Sequence, residues 1–309
     1  MLDTCVPCSA PAKVMLAGEY AVVHGGPALM LAVNRRAVAS VCSEEQRLSP
    51  FLRAAKDSIA QHLGPQSVQA RRAARITVDS SSFRSGSDKL GLGSSAAVTV
   101  AAIGAALGSV DDRLLIHQLA AQAHRQAQGG IGSGADIAAC TYGGCLRFQT
   151  TPEGPQVSPV ELPGDLRLVF VWTGKSASTP KLLGAVEAFG AAEPQSYRKL
   201  RQALSESAEA LANATSATEA VQAIAAGGRA AEALGQAAGQ PLWLPIHSEL
   251  AAHAEKAGGA LKPTGAGGGD LALAAFPTPS NARVFRRQMA ELEIFCPLLG
   301  VDQGVRLDG

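Results

Sequence analysis

A helix that starts straight out of a glycine–serine turn constrains this chain more than any other feature. Lys89-Leu90-Gly91-Leu92-Gly93-Ser94-Ser95-Ala96-Ala97 runs without a break into the apolar stretch from Val98 to Leu107. A helix start leaves backbone N–H groups without intrahelical partners and carries the positive end of the helix dipole, so it suits a bound phosphate. Glycines let the backbone approach such an anion closely, and serine hydroxyls add hydrogen bonds or reach a metal ion. No lysine follows the last glycine as G-x-x-x-x-G-K-[ST] requires, and the pattern is not G-x-G-x-x-G. Alone, the segment reads equally well as a plain capped helix.

Two further segments change that balance. Ala10 to Pro27 reads as an apolar strand holding Lys13, a Gly18-Glu19-Tyr20 break, and a second apolar run closed by a Gly-Gly-Pro turn after His24. Lys262-Pro-Thr-Gly265-Ala266-Gly267-Gly268-Gly269-Asp270 precedes the strand-like stretch from Leu271 to Phe276. Four glycines in five positions make a backbone able to wrap a ligand, and a linker is seldom pinned between Lys-Pro and a buried strand. Together the three segments resemble the signature motifs of the GHMP kinases, the superfamily of galactokinase, homoserine kinase, mevalonate kinase and phosphomevalonate kinase. They stand in the family's order and spacing, from about residue 10 to residue 276.

The rest of the chain fits a soluble enzyme. At 309 residues it can bury a large core in two lobes, and a net charge of +1 gives no electrostatic argument for nucleic acid or an acidic membrane. Of only eight lysines, four (Lys13, Lys89, Lys175 and Lys262) lie in or beside glycine- or serine-rich stretches, which favours anion binding. No apolar run approaches the roughly 18 residues that span a bilayer, and the first residues lack the pattern of a signal peptide, so a cytoplasmic protein with reduced thiols is expected. Cys5 and Cys8 form a lone C-x-x-C with nothing to complete a zinc site, and the other four cysteines read as small core residues.

Along the chain, Pro27 to Val41 reads as two apolar runs interrupted by Asn34-Arg35-Arg36, and 44–75 as a helix and loop. Ile76 to Val78 reads as a strand, and Asp111 or Asp112 caps a helix carrying Leu115, Leu119 and Ala123 at i, i+4 and i+8. Leu166 to Trp172 is a buried strand. Residues 194–239 make helices broken at Asn213–Ser216 and again at Gly227-Gly228, and 280–309 closes the C-terminal lobe. The boundary falls near 160, giving domains 1–160 and 161–309. The resemblance implies an α/β N-terminal lobe and an α+β C-terminal lobe, with the active site between them.

The turn Gln128-Gly129-Gly130-Ile131-Gly132-Ser133-Gly134-Ala135 leads into Asp136, by residue type a cap or Asx-turn position. The resemblance nominates Asp136 for the transferable phosphate, with Lys13 as its cationic partner. It places the nucleotide, ATP, on Lys89, Gly91, Leu92, Gly93, Ser94, Ser95 and Ala96, with Ser95 reaching Mg²⁺. It places the acceptor among Tyr20, His24, Ser133, Lys175, Ser176, Ser178, Thr179, Gly265, Ala266 and Gly267. The stretch from Lys175 to Thr179 follows a strand and opens a helix, a fitting place for phosphate or carboxylate.

Within the superfamily the finer residues resemble bacterial-type phosphomevalonate kinases. Gly18-Glu19-Tyr20 stands where mevalonate kinases read Gly-Glu-His, and Gly132-Ser133-Gly134-Ala135-Asp136-Ile137 where they read Pro-Ser-Gly-x-Asp-Asn. His124 and Arg125 occupy the place of their metal-binding Glu, and Asp270 the place of a glycine. The implied reaction moves the ATP γ-phosphoryl group to 5-phosphomevalonate, with mevalonate kinase as the alternative and a nucleotide-binding sensor as the non-enzymatic one. A monomer or homodimer is expected.

Overall fold

The computed structural model describes residues 6–130 and 132–309; Cys5 of the C-x-x-C pair and Ile131 of the turn before Asp136 lie outside the described residues. The chain enters as β1 (Cys8–Ala17) and returns antiparallel as β2 (Ala28–Val41). Cys8, Ala10, Ala12, Val14 and Leu16 go into one core, while Lys13 and Met15, on the alternate face, line a cleft. The expected interruption at Asn34-Arg35-Arg36 is absent, because β2 is a single strand of 14 residues. Asn34 and Arg35 form a bulge: Pro11 sits opposite Arg36 but Ala12 sits opposite Val33. Pro11 has no N–H to lose at that slip.

Two helices, α1 (Pro50–Leu63) and α2 (Val68–Ala73), occupy most of 44–75, capped by the hydroxyls of Ser49 and Ser67. β3 (Ile76–Asp79) pairs with the far end of β2, and a short hairpin of β4 (Arg84–Ser85) and β5 (Asp88–Lys89) delivers the glycine–serine turn. α3 (Ser94–Leu107) is buried almost all round, its alanines letting it lie close on β1 and β2. α4 (Arg113–Ala127) is capped by Asp112, whose Oδ1 accepts from the Leu115 N–H at 2.9 Å, and Leu119 and Ala123 are buried as their spacing predicts. α5 (Ala135–Tyr142), β6 (Cys145–Thr151) and β7 (Gly154–Pro159) follow, with β6 pairing β2 and β7 pairing β6.

A second sheet is built from β8 (Arg167–Trp172), then the helices α6 (Thr179–Ala192), α7 (Pro194–Ala212), α8 (Ala217–Ala237) and α9 (Pro245–Lys256), then β9 (Ala260–Pro263) and β10 (Leu271–Phe276). β10 lies between β8 and β9, antiparallel to both, and all six of its residues are buried. The expected break at Asn213–Ser216 is present, with Ser216 capping α8. The one at Gly227-Gly228 is not, since α8 runs straight through. A Cβ on Gly228 would lie 3.0 Å from the Leu261 carbonyl oxygen, so this glycine serves close packing against β9.

The tail also departs from expectation. α10 (Pro279–Glu291) packs on the second sheet, with Phe285 against Phe276, but the chain then crosses back to the first. β11 (Arg306–Leu307) pairs with β1, and Val301 and Gln303 bridge Val33 and Gly143. Arg36, swung out by the bulge, holds the crossing: it donates to the Asp302 carboxylate at 2.7 Å, the Gly304 carbonyl at 2.9 Å and Ser9 Oγ at 2.8 Å. The last strand covers part of a β1 edge that would otherwise be open. Among the described residues no helix is long and apolar enough to cross a membrane.

Candidate active site

The glycine–serine turn runs along the free side of β1, where the Lys13 N–H donates to the Leu92 carbonyl at 3.0 Å. Gly91 and Gly93 have φ of +71° and +73°, a region L side chains rarely adopt. Space matters as much as backbone freedom. A Cβ on Gly93 would fall 2.3 Å from Lys13 Cε, and one on Gly91 would fall 2.4 Å from Asp270 Cβ. Each glycine therefore makes room for a charged side chain from another motif. α3 starts at Gly93 with no side-chain cap, and the Ala96 N–H turns back to the Gly93 carbonyl at 3.1 Å, leaving the Ser94 and Ser95 N–H groups for an external acceptor.

Asp136, in the first turn of α5, meets Lys13 across the turn at 3.1 Å. Both line a cleft of about 300 Å³, together with Glu19, Tyr20, Ser133 and Thr179. The floor is tied by a second ion pair. Lys262 is completely buried, bonded to Glu19 and to the Pro263 carbonyl at 2.8 Å. This corrects the expectation for Lys262: it holds a carboxylate inside the protein and is not available to a ligand. Glu19 Oε2 has no partner and belongs to the cleft wall. The Tyr20 hydroxyl donates to the Ala266 carbonyl at 2.6 Å, and burial pushes its pKa up. The first and third motifs are thus stitched together beneath the cleft.

Other expected residues fall in different places. Gly265 and Ala266 line the cleft, whereas Gly267 backs onto Leu242. Leu92 and Ala96 are core residues, so only their backbone faces a ligand, and Lys89 is exposed on its hairpin. Lys175, Ser176 and Ser178 stand in the loop beside the cleft, outside its lining. His24 is not in the lining either: its Nε2 bonds Glu187 at 2.8 Å and Tyr197 at 3.2 Å, anchoring the turn after β1 to α6 and α7.

Asp270 ends the third motif at φ +54°, with its carbonyl accepting from the Thr173 N–H and its Oδ1 from the Ala177 N–H at 3.4 Å. Burial raises the pKa of its carboxyl, against the opposing pull of that hydrogen bond and of Lys13. His124 was readable only as a substitution for an expected acid. It is buried in the cleft wall, its Nε2 3.0 Å from Ser95 Oγ and its ring stacked on Phe51. Its place four residues after the buried Ala120 and seven after the buried His117 on α4 was the signal available for an inward-facing side chain.

A larger hollow of about 580 Å³ lies between α4 and the β6–β7 hairpin. Its ionisable groups are His117, Tyr142 and Glu153, the first two bonded to each other at 3.2 Å. Its lining has no glycine-rich turn, no cation and no uncapped helix start, whereas the smaller cleft has Gly132-Ser133-Gly134, Lys13 and the uncapped start of α5.

Comparison with known proteins agrees with this geometry. Residues 51–144 match the GHMP kinases N terminal domain. A mevalonate kinase of Archaeoglobus fulgidus is 30% identical, over 87% of this chain and 91% of that one. A phosphomevalonate kinase of a Streptomyces species is 29% identical, over 86% and 88%. The structure of the Streptococcus pneumoniae phosphomevalonate kinase, in complex with phosphomevalonate and AMPPNP, superposes with a TM-score of 0.80 over 96% of this chain and all of that one, at 17% identity, a likeness of fold. The chain belongs to the GHMP kinases, a family of kinases that use ATP.

Proposed function

We propose that this chain transfers the γ-phosphoryl group of ATP to (R)-5-phosphomevalonate, giving 5-diphosphomevalonate and ADP in the mevalonate pathway. The observation that carries the phosphoryl-transfer reading is the Lys13–Asp136 pair beside an uncapped helix start. The acceptor reading is supported by the Streptomyces phosphomevalonate kinase, alike over most of both chains. Mevalonate is the second reading, favoured by the 30% identity to the Archaeoglobus mevalonate kinase.

In this reading the first-turn N–H groups at Ser94 and Ser95 take phosphate oxygens of the nucleotide. The Lys13 ammonium, 12% exposed and pinned by Asp136, meets charge as it develops on the moving phosphoryl group. A phosphomonoester has a second pKa near ~6, so the acceptor is already mostly dianionic at neutral pH and needs no base. Asp136 then orients Lys13 and does not have to remove a proton. The difficult step is bringing two polyanions into line. Lys175 and the hydroxyls of Ser176 and Ser178, in the loop before α6, would receive the acceptor's anionic end. Glu19, with its unpartnered oxygen, turns away anions and accepts from a hydroxyl.

The donor set fits Mg²⁺ brought by the nucleotide. No group of three or more His, Cys, Asp and Glu side chains is gathered among the described residues, and Ser95 Oγ and the Asp136 carboxylate are the oxygens at hand. That is too few to hold the ion alone and enough beside phosphate oxygens. Bound there, the ion would neutralise phosphate charge.

ADP release with Mg-ATP, measured in parallel on (R)-5-phosphomevalonate and (R)-mevalonate, tests the reading. Turnover on the phosphorylated acceptor alone supports it. Turnover on mevalonate alone makes the second reading correct and returns Asp136 to the role of base. Nucleotide binding without ADP release on either acceptor would point to a sensor.

A further inference from the structure

Ser95 is the first-turn residue whose side chain, not only its backbone, has a fixed partner in the cleft wall. A hydroxyl has one proton and two lone pairs. To serve a cation its oxygen must send the proton elsewhere, and among the described residues the side chain bonded to it is that of His124. We propose that His124 is a positioning residue: its Nε2 accepts the hydrogen bond donated by the Ser95 hydroxyl, so that Ser95 Oγ turns its lone pairs to the cation of Mg-ATP. This rests on the reading of Ser95 as a metal-holding group.

The imidazole is held independently of any ligand. It is 6% exposed and stacks on Phe51 with centroids 5.3 Å apart and planes 30° from parallel. A neutral ring can accept at Nε2, whereas an imidazolium could only donate. Mg²⁺ prefers oxygen, so the nitrogen is poorly suited to compete with Ser95 for the ion. A glutamine amide oxygen could accept the same proton, and a leucine could fill the same space without accepting anything.

Two measurements decide it. In unmodified protein carrying ¹⁵N-histidine, bound to Mg²⁺ and a non-hydrolysable ATP analogue, His124 Nε2 should give the signal of an unprotonated, accepting nitrogen. A protonated Nε2 overturns the proposal. The second reads the metal through Mn²⁺ paramagnetic resonance with the same analogue. Ser95→Ala and His124→Leu should each weaken Mn²⁺ binding by about tenfold, the lower end for loss of a group that orients a metal ligand. The double variant should be no weaker than Ser95→Ala, His124→Gln should recover most of the loss, and nucleotide affinity in EDTA should be unchanged throughout. If Ser95→Ala leaves Mn²⁺ binding intact, the reading of Ser95 has failed. If Ser95→Ala weakens it and His124→Leu does not, or the two losses add, the role of His124 has failed.

Discussion

Lys13 does three things at once: its stem fills the space over Gly93, its N–H holds Leu92, and its ammonium meets Asp136. Lys13→Met keeps much of the stem and removes the charge. It should lower kcat by about 10²–10³-fold, the usual scale for losing one charge-stabilising group, while nucleotide Kd changes little. Near-normal turnover would take Lys13 out of the mechanism. Gly93→Ala tests the same point sterically, because its Cβ would meet the Lys13 side chain and the backbone already sits at positive φ. Its kcat should fall further than its nucleotide affinity. The buried pair behaves differently. Lys262→Met leaves Glu19 uncompensated and should cost about 3–5 kcal/mol of unfolding free energy, much of it recovered in Lys262→Met with Glu19→Gln. Denaturant midpoints of the two variants check this. The resemblance to the GHMP kinases paired Lys13 with Asp136, and the structure brings the two side chains together. The sequence could not separate Lys262 from the surface lysines, since only the fold shows that β9 turns it inward toward Glu19.

Elements were legible where local chemistry settles them, as at Asp112 and Ser216, whose caps mark helix starts at the expected places. They were misread where long-range packing decides. Asn34-Arg35-Arg36 looks like a turn until the crossing tail gives Arg36 its partners, and Gly227-Gly228 looks like a break until β9 is pressed against it. α9 carries a prediction of its own. His247 is completely buried, and its Nδ1 accepts the Leu244 N–H at 3.0 Å, capping the helix. Burial, then the charge of Lys262, push its pKa from 6.5 down to about 4. The unfolded chain binds that proton near pH 6.5 and the folded one only near 4, so the unfolded state holds more protons in between. Stability should therefore fall as pH drops through that window, by up to about 3 kcal/mol. Unfolding midpoints from pH 7 to 4.5 should decline more steeply for the native protein than for His247→Gln. Parallel declines would remove His247 as the cause.

Across the whole molecule the two sheets share one apolar core, with Phe170 and Leu273 in the same cluster as β1 and α3, and specific ties are added to it. Arg147 on β6 pairs with Glu209 on α7, His24 reaches α6 and α7, and the tail returns from α10 to close on β1. The return was invisible to local pattern, because β11 is only two residues long and gains its place from Arg36 and Asp302. Asp302→Ala should cost about 2 kcal/mol, the scale of hydrogen bonds to a charged group, read as a lowered denaturant midpoint without loss of cleft ligand binding. What these ties hold in register is the cleft of Lys13 and Asp136, and in the function proposed above a phosphate, not an alcohol, accepts the transferred group. Phosphorus NMR of the product made from ATP and (R)-5-phosphomevalonate tests that most directly. A coupled pair of diphosphate signals beyond those of ADP should grow as the monoester signal fades. A monoester signal unchanged by active protein, or a new monoester appearing from mevalonate instead, would contradict it.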